Sequence, residues 1–329
     1  MTDSSTDADE RDGDLEVEIR RATHDDYEDV ASFTGTIWED RGGDYIPEIY
    51  HDWLEDDDEE GKKTFLAEID GDVAGILQGV MLSPEEAWFQ GMRVNPAYQR
   101  RGVSQRLNEA CFEWAREQGA TIGRVMVFSW NSPSLGAARK SDFEPITEFR
   151  FATPEPDADA SGPLSVSSDP ADAWRFWMGS DARDHLRGLG LATEESWALR
   201  ELTRDDFSRV ADETALFVVE GGEADGDDDP TLGERAGARA TAYRTRTLER
   251  TDDDGAEVTI AEYGLGAWAN VDAAQSLFAA IARDAASLGA DGTRVLIPET
   301  VEYVSDASYA GAGVADEPDF VLGIDLTGT

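Results

Sequence analysis

The chain compares with itself. The run Ile19-Arg20-Arg21-Ala22-Thr23-His24-Asp25-Asp26-Tyr27, followed by Val30-Ala31, returns at an offset of 180 as Leu199-Arg200-Glu201-Leu202-Thr203-Arg204-Asp205-Asp206-Phe207, followed by Val210-Ala211. Each run reads as a strand, a threonine helix cap, acidic residues in the first turn, then an amphipathic helix. A second match has an offset of 170. Leu107, Ala110, Ala115, Gly119, Ala120, Arg124, Val125 and Val127 meet Leu277, Ala280, Ala285, Gly289, Ala290, Arg294, Val295 and Ile297. Here a long helix stops at a glycine and leads into a short buried strand. Two matches in one order, with one structural meaning, indicate a duplicated unit.

The halves join at 153–169, where Pro154, Pro156, Gly162 and Pro163 stand among Ser and Asp. That is a linker composition. The expected organisation is an acidic disordered tail over 1–14, a first domain over 15–152, the linker, and a second domain over 170–329. Trp174, Phe176 and Trp177 fall on a helix after the linker and are candidates for packing the halves together. In the first half, strands are expected at 16–20, 64–69, 73–82, 88–94, 124–128 and 144–151. Helices are expected at 25–38, 47–54, 102–118 and 132–140. This order implies an α/β (α+β) class, with a mixed twisted sheet flanked by helices in each copy.

With 40% hydrophobic residues, most of the chain can bury a core, although acidic residues outnumber basic ones 71 to 28. Only Lys62, Lys63 and Lys140 are lysines. Aromatic residues and apolar periodicity run throughout, so the acidity reads as the hydrated surface of a halophilic, archaeal-type protein in molar salt. Nucleic acid and anionic membranes are not expected partners. No apolar run reaches the length of a membrane span and no signal-peptide pattern is present, so a cytoplasmic location is expected. The acidic clusters Asp56–Glu60 and Asp227–Asp229 read as solvated loops.

The sharpest local feature is Val94-Asn95-Pro96-Ala97-Tyr98-Gln99-Arg100-Arg101-Gly102-Val103-Ser104. A strand ends at Val94, Asn95-Pro96 turns the chain, and a helix opens near Gly102 with free N–H groups. Glycine allows close approach of a ligand, and the helix dipole favours an anion. At molar salt the Debye length is about 3 Å, so a phosphate site must rely on direct backbone and arginine hydrogen bonds. A glycine that merely bends a loop into a helix accounts for these residues equally well by themselves.

In its setting the segment resembles the GNAT superfamily of N-acetyltransferases, whose signature is Gln or Arg, two variable residues, Gly, one variable residue, then Gly or Ala. Gln99 to Ser104 fits, with Ser104 at the final small position. Met92-Arg93-Val94 before it, Asn131-Ser132-Pro133-Ser134-Leu135, and Lys140-Ser141-Asp142-Phe143 extend the likeness over about residues 16–152. The resemblance implies that strands ending at Val94 and Phe128 splay to admit the pantetheine arm of acetyl-CoA. Met92 and Val94 would pair with that arm, Gln99, Arg100, Arg101, Gly102, Val103 and Ser104 would hold the pyrophosphate, and Asn131 would lie near the reactive end. The implied reaction is attack of a neutral amine on the thioester, with acetyl-CoA as acyl donor and no metal. Two departures stand out: Ala138 occupies the position of the tyrosine that often donates to the leaving thiolate, and Asp142 replaces a usual glycine.

Glu86, with Glu85 as competitor, is the candidate base. The run Asp44-Tyr45-Ile46-Pro47, Tyr50, Trp53-Leu54 and Gly91-Met92-Arg93-Val94 resembles the histidine N-acetyltransferase-like branch, which makes Tyr45 and Tyr50 candidate substrate-binding residues. For Trp53, helix packing is the competing reading. The expected function is N-acetylation of a primary amine, on a small molecule or amino acid. The alternatives are an acyl-CoA-binding sensor or scaffold, or a protein N-terminal or lysine acetyltransferase.

The second copy reads Gly266-Ala267-Trp268-Ala269-Asn270-Val271-Asp272 before its long helix, with no arginine and no glycine at the cap. It is expected to be a degenerate domain that binds no cofactor. Such an internal pseudo-dimer is compatible with a monomer or a homodimer. His24, His51 and His185 have no metal spacing between them, and Cys111 reads as core.

Overall fold

A computed structural model describes residues 16–35, 37, 43–55, 61–221, 237–251 and 255–328. The expected tail over 1–14, the cluster Asp56–Glu60 and the cluster Asp227–Asp229 lie outside these residues. In chain order the first copy supplies β1 (Glu18–Arg21), α1 (Tyr27–Thr34), α2 (Ile46–Trp53), β2 (Lys62–Ile69), β3 (Asp72–Met81), β4 (Glu86–Val94), α3 (Val103–Glu117), β5 (Ile122–Phe128), α4 (Ser132–Lys140) and β6 (Glu144–Thr153). The remainder forms β7 (Val166–Ser167), α5 (Pro170–Met178), α6 (Asp181–His185), β8 (Leu189–Leu191), β9 (Leu199–Glu201), α7 (Arg204–Glu213), β10 (Ala215–Glu220), β11 (Ala238–Thr251) and β12 (Glu257–Trp268). It closes with α8 (Val271–Ser287), β13 (Gly292–Pro298), α9 (Val301–Tyr309), β14 (Gly313–Val314) and β15 (Asp319–Asp325). The class is mixed α/β, as expected.

Two compact units emerge, and they are not two consecutive stretches of chain. The first holds the described residues up to Arg124, with 140–142 and 324–328; the second holds 125–139 and the described residues of 143–323. In the first, β1, β2, β3 and β4 pair antiparallel in order, and β5 joins β4 in parallel. Leu326, just after β15, belongs here: its N–H donates to the Thr121 carbonyl, and its own carbonyl accepts from Arg116 Nε at 3.0 Å. In the second unit β6, from the first copy's sequence, pairs antiparallel with β13 and with β15. Each unit is therefore completed by chain whose sequence belongs to the other copy.

The two matched runs make like hydrogen bonds. The Thr23 N–H donates to Asp26 Oδ2 at 2.8 Å, and the Thr203 N–H donates to Asp206 Oδ2 at 2.8 Å. Arg20 pairs with Asp26 at 2.5 Å, and Arg200 lies 3.6 Å from Asp206. The Arg20 guanidinium holds the Asp26 carboxyl below its usual range. At the other end of the unit, Ala120 N–H reaches back to the Ala115 carbonyl and Ala290 N–H to Ala285, past left-handed Gly119 and Gly289. These are helix stops that satisfy the last carbonyls.

The proline-rich junction is not free chain. Within the second unit, Asp157 N–H donates to the Ala282 carbonyl, Leu164 N–H to Ser276 Oγ, and β7 pairs with β10. Trp177 is fully buried, and Trp174 packs on Phe207 at 5.9 Å, so α5 anchors within the second unit.

Candidate functional site

The segment that carries the cofactor signature sits between β4 and α3. Asn95 shapes the turn: its Oδ1 accepts from Ala97 N–H, and its Nδ2 donates to the Val73 carbonyl. Tyr98 donates to Asp72 at 2.6 Å, and the Arg101 guanidinium lies 5.4 Å from the Tyr98 ring. Arg100 and Gly102 both take left-handed backbone, at φ of 62° and 80°. Left-handed residues in such a turn aim successive N–H groups into an anion-binding nest. A Cβ placed on Gly102 would meet no atom within 4 Å, so the approach to this turn is open.

α3 opens without a side-chain cap, and its first intrahelical bond is Arg106 N–H to the Gly102 carbonyl. Its leading N–H groups are therefore available as donors. Gln99, Arg100, Arg101 and Gly102 are exposed, Ser104 is half-buried, and Val103 is buried in the core. The second copy differs at this point. Asn270 begins α8 in extended conformation, its Oδ1 accepts from Ala273 N–H at 3.0 Å, and Asp272 adds a negative charge in the first turn.

β4 supplies the other half of the site's frame. Its parallel ladder to β5 comprises Glu86, Ala87 and Trp88 against Ile122, Gly123 and Arg124. Beyond these pairs the direction of β4 changes. On β3, Gln78 faces Gln90 but Ile76 faces Arg93, so β4 carries an extra residue there. Gly91 provides the bulge at φ 68°, and the Trp53 ring lies flush against it. Such bulges turn the following residues, here Met92 and Arg93, relative to a plain strand.

A Cβ at Gly91 would stand 2.1 Å from Trp53 Cη2. Gly91→Ala should therefore cost about 1–3 kcal/mol through left-handed strain and overpacking. Urea unfolding in high salt measures this. An unchanged midpoint would mean that the bulge is not built on Gly91.

Several expected residues are placed differently. Glu86 is buried and paired with the Arg124 guanidinium, with side-chain exposures of 11% and 9%. It is the first residue of β4, eight residues before Val94. At about 3.3 Å per residue it is some 26 Å from the strand's other end. This corrects the reading of Glu86 as base: its carboxylate is the counter-ion of a buried arginine. Tyr50 is also corrected. Residues 46, 50 and 53 share the inward stripe of α2, Tyr50 is fully buried, and its hydroxyl donates to the Thr23 carbonyl at 2.8 Å. The i, i+4, i+7 spacing carried that signal. Burial pushes its phenol above the usual range. Trp53 is core as well, at 8% exposure. Tyr45 remains 41% exposed beside the bulge, edge-on to Trp53 at 6.3 Å.

Asn131 lies in the second unit, where its Oδ1 accepts from Ser134 N–H and so opens α4. Ala138 sits on the same helix. Asp142 takes φ 64°, which explains the glycine expected there: the position is left-handed, and aspartate is among the few other residues that tolerate it. Cys111 is fully buried, and desolvation pushes its thiol well above the usual range, which makes it an inert core residue. His24 and His51, 27 residues apart, meet with their Nδ1 atoms 2.9 Å apart. Among the described residues no three His, Cys, Asp or Glu side chains gather as metal ligands, and no helix is long and apolar enough to cross a membrane.

Residues 23–143 match the profile of the "Acetyltransferase (GNAT) family". A histidine N-acetyltransferase of Xenopus tropicalis is 30% identical over 110 residues, covering 33% of this chain and 32% of that protein. The match thus spans roughly a third of the length of the curated relatives. A GCN5-related N-acetyltransferase from Sphaerobacter thermophilus superposes over 94% of this chain and 96% of its own, with TM-score 0.56 and 13% identity. The glucosamine N-acetyltransferase region of a fungal multi-domain β-N-acetylglucosaminidase superposes over 97% of this chain and 39% of its own, with TM-score 0.60 and 15% identity. At such identities the likeness concerns the fold, and it extends over both copies.

Proposed function

We propose that this chain, whose residues 23–143 match the acetyltransferase (GNAT) family, transfers an acetyl group from acetyl-CoA to the primary amine of a small molecule or amino acid. The contrast between the two long helices carries this reading. At Gly102 the first copy leaves its helix donors unspent beside Arg100 and Arg101. At Asn270 the second copy spends one on its own side chain and places Asp272 nearby. One copy is suited to a pyrophosphate and the other is not.

Acetyl-CoA supplies the activated thioester. In this reading Gln99 to Ser104 bind the pyrophosphate through backbone N–H groups, with Arg100 and Arg101 contributing charge-assisted bonds. The main chain of Met92 and Val94 on β4 orients the pantetheine arm. The attacking amine must arrive neutral, and its proton leaves by a route other than Glu86. Free amino acids are the first acceptors to test, since a relative bears the name histidine N-acetyltransferase.

A panel of amines headed by L-histidine, assayed in high salt for release of CoA thiol, tests the proposal. Turnover of at least one small amine is expected. Ala138, which lacks a proton to give to a leaving thiolate, favours a second reading in which acyl-CoA binds without turnover. In that case no panel member releases thiol above the background rate, although acetyl-CoA still binds.

A further inference from the structure

A buried ion pair beside the bulge has no part in the roles assigned so far. Arg93 on β4 and Asp44, just before α2, are joined by two hydrogen bonds, Nε to Oδ2 at 2.5 Å and Nη2 to Oδ1 at 3.2 Å. The Asp44 side chain is fully buried and Arg93 is 9% exposed. Arg93 Nη1 also donates to the Met92 carbonyl at 3.1 Å, and its guanidinium lies 5.4 Å from the Tyr45 ring. Asp44 Oδ1 accepts from Ile46 N–H at 3.1 Å, which starts α2.

We propose that the Asp44–Arg93 pair is a positioning clamp that ties the start of α2 to the bulged end of β4 and sets Tyr45 as a wall of the amine pocket. The proposal rests on the acetyl-transfer reading. Each contact supports a link in it. The bulge at Gly91 turns Arg93 toward α2, and Trp53 packs on that same glycine. Asp44 answers with both oxygens, and the next residue is the exposed Tyr45. Burying two charges gains little stability over an apolar pair, and the best-attested use of such a pair is to fix register. Here the register fixed is that of an acceptor-side helix against the strand expected to hold the acyl donor.

Three variants test it in the full chain. Asp44→Asn keeps an oxygen for Ile46 but removes the charge. Arg93→Lys keeps the charge but loses the two-pronged geometry. Tyr45→Ala removes an exposed side chain, so its folding is not at risk. Calorimetry should give all three wild-type affinity for acetyl-CoA. The KM for L-histidine, or for the best amine of the panel, should rise about tenfold or more, a difference of roughly 1.4 kcal/mol, with kcat within about twofold. Amide hydrogen exchange across residues 44–53 should quicken in Asp44→Asn and Arg93→Lys but not in Tyr45→Ala. An unchanged KM in Tyr45→Ala, or unchanged exchange in both clamp variants, overturns the proposal. A wild-type chain that binds no acetyl-CoA overturns the acetyl-transfer reading and the positioning role with it, while the exchange data still decide whether the pair clamps α2.

Discussion

Gly102→Asp abolishes acetyl-CoA binding and leaves the chain folded: that is the expected result with the largest effect on function. A Cβ at Gly102 has open space around it, so the substitution adds no clash. Its backbone cost is the left-handed φ of 80°, worth about 1–2 kcal/mol for a residue with a Cβ and less for aspartate, which tolerates that region. The functional cost is larger. A carboxylate at the mouth of α3 competes for the N–H groups that a pyrophosphate would use, as Asn270 does on α8, and it repels the phosphates at contact distance. Contact interactions survive molar salt, where longer-range ones are screened beyond about 3 Å. Calorimetry in high salt should show one acetyl-CoA per wild-type chain and no heat of binding for the variant, a loss of at least about a hundredfold, or roughly 2.7 kcal/mol. Gly102→Ala, with the same backbone cost and no charge, should fall between. Two sites per wild-type chain, or an aspartate variant of normal affinity, would sink the assignment of the cradle to α3.

Glu86→Gln has the largest expected effect on stability. Its carboxylate is the ion-pair partner of a buried arginine, and Arg124 Nε already has no hydrogen-bond partner among the described residues. Removing the charge leaves the guanidinium buried without a counter-ion, which costs about 3–5 kcal/mol. Replacing both residues together, Glu86→Leu with Arg124→Met, should recover most of that loss, because an apolar pair of similar volume carries no desolvation cost. Guanidinium unfolding measures both variants. Turnover per folded molecule should survive in the double variant. A stable but inactive Glu86→Gln chain would return Glu86 to the role of base.

Local signals gave good positions for the elements of the first copy. Thr23 with Asp26 predicts a helix start, and that capping box is present. The strands expected at 64–69 and 73–82 form a hairpin around Asp70-Gly71, and the helix expected to end before Gly119 stops there. The turn into α3 was legible for the same reason: Asn95-Pro96, Gly102 and a helix start are close in sequence and act through backbone geometry. What escaped the sequence is long-range. The bulge at Gly91 breaks the two-residue alternation of β4, so no pattern announces which way Arg93 points. Its partner Asp44 is 49 residues away, and Arg124 is 38 from Glu86. Carboxylates abound in this chain, and nothing local marks the few that are buried.

The sequence by itself determined the capped starts at Thr23 and Thr203, and the glycine-led start of α3 against the asparagine-led start of α8, because caps and left-handed turns are decided by a few neighbouring residues. Only the tertiary structure decided which carboxylates are spent on buried arginines, that Tyr50 turns inward while Tyr45 stays at the surface, and that β6 pairs with a strand of the other copy. Those outcomes depend on contacts between residues far apart in the chain. Their free energy comes from burial and pairing that no short segment makes alone.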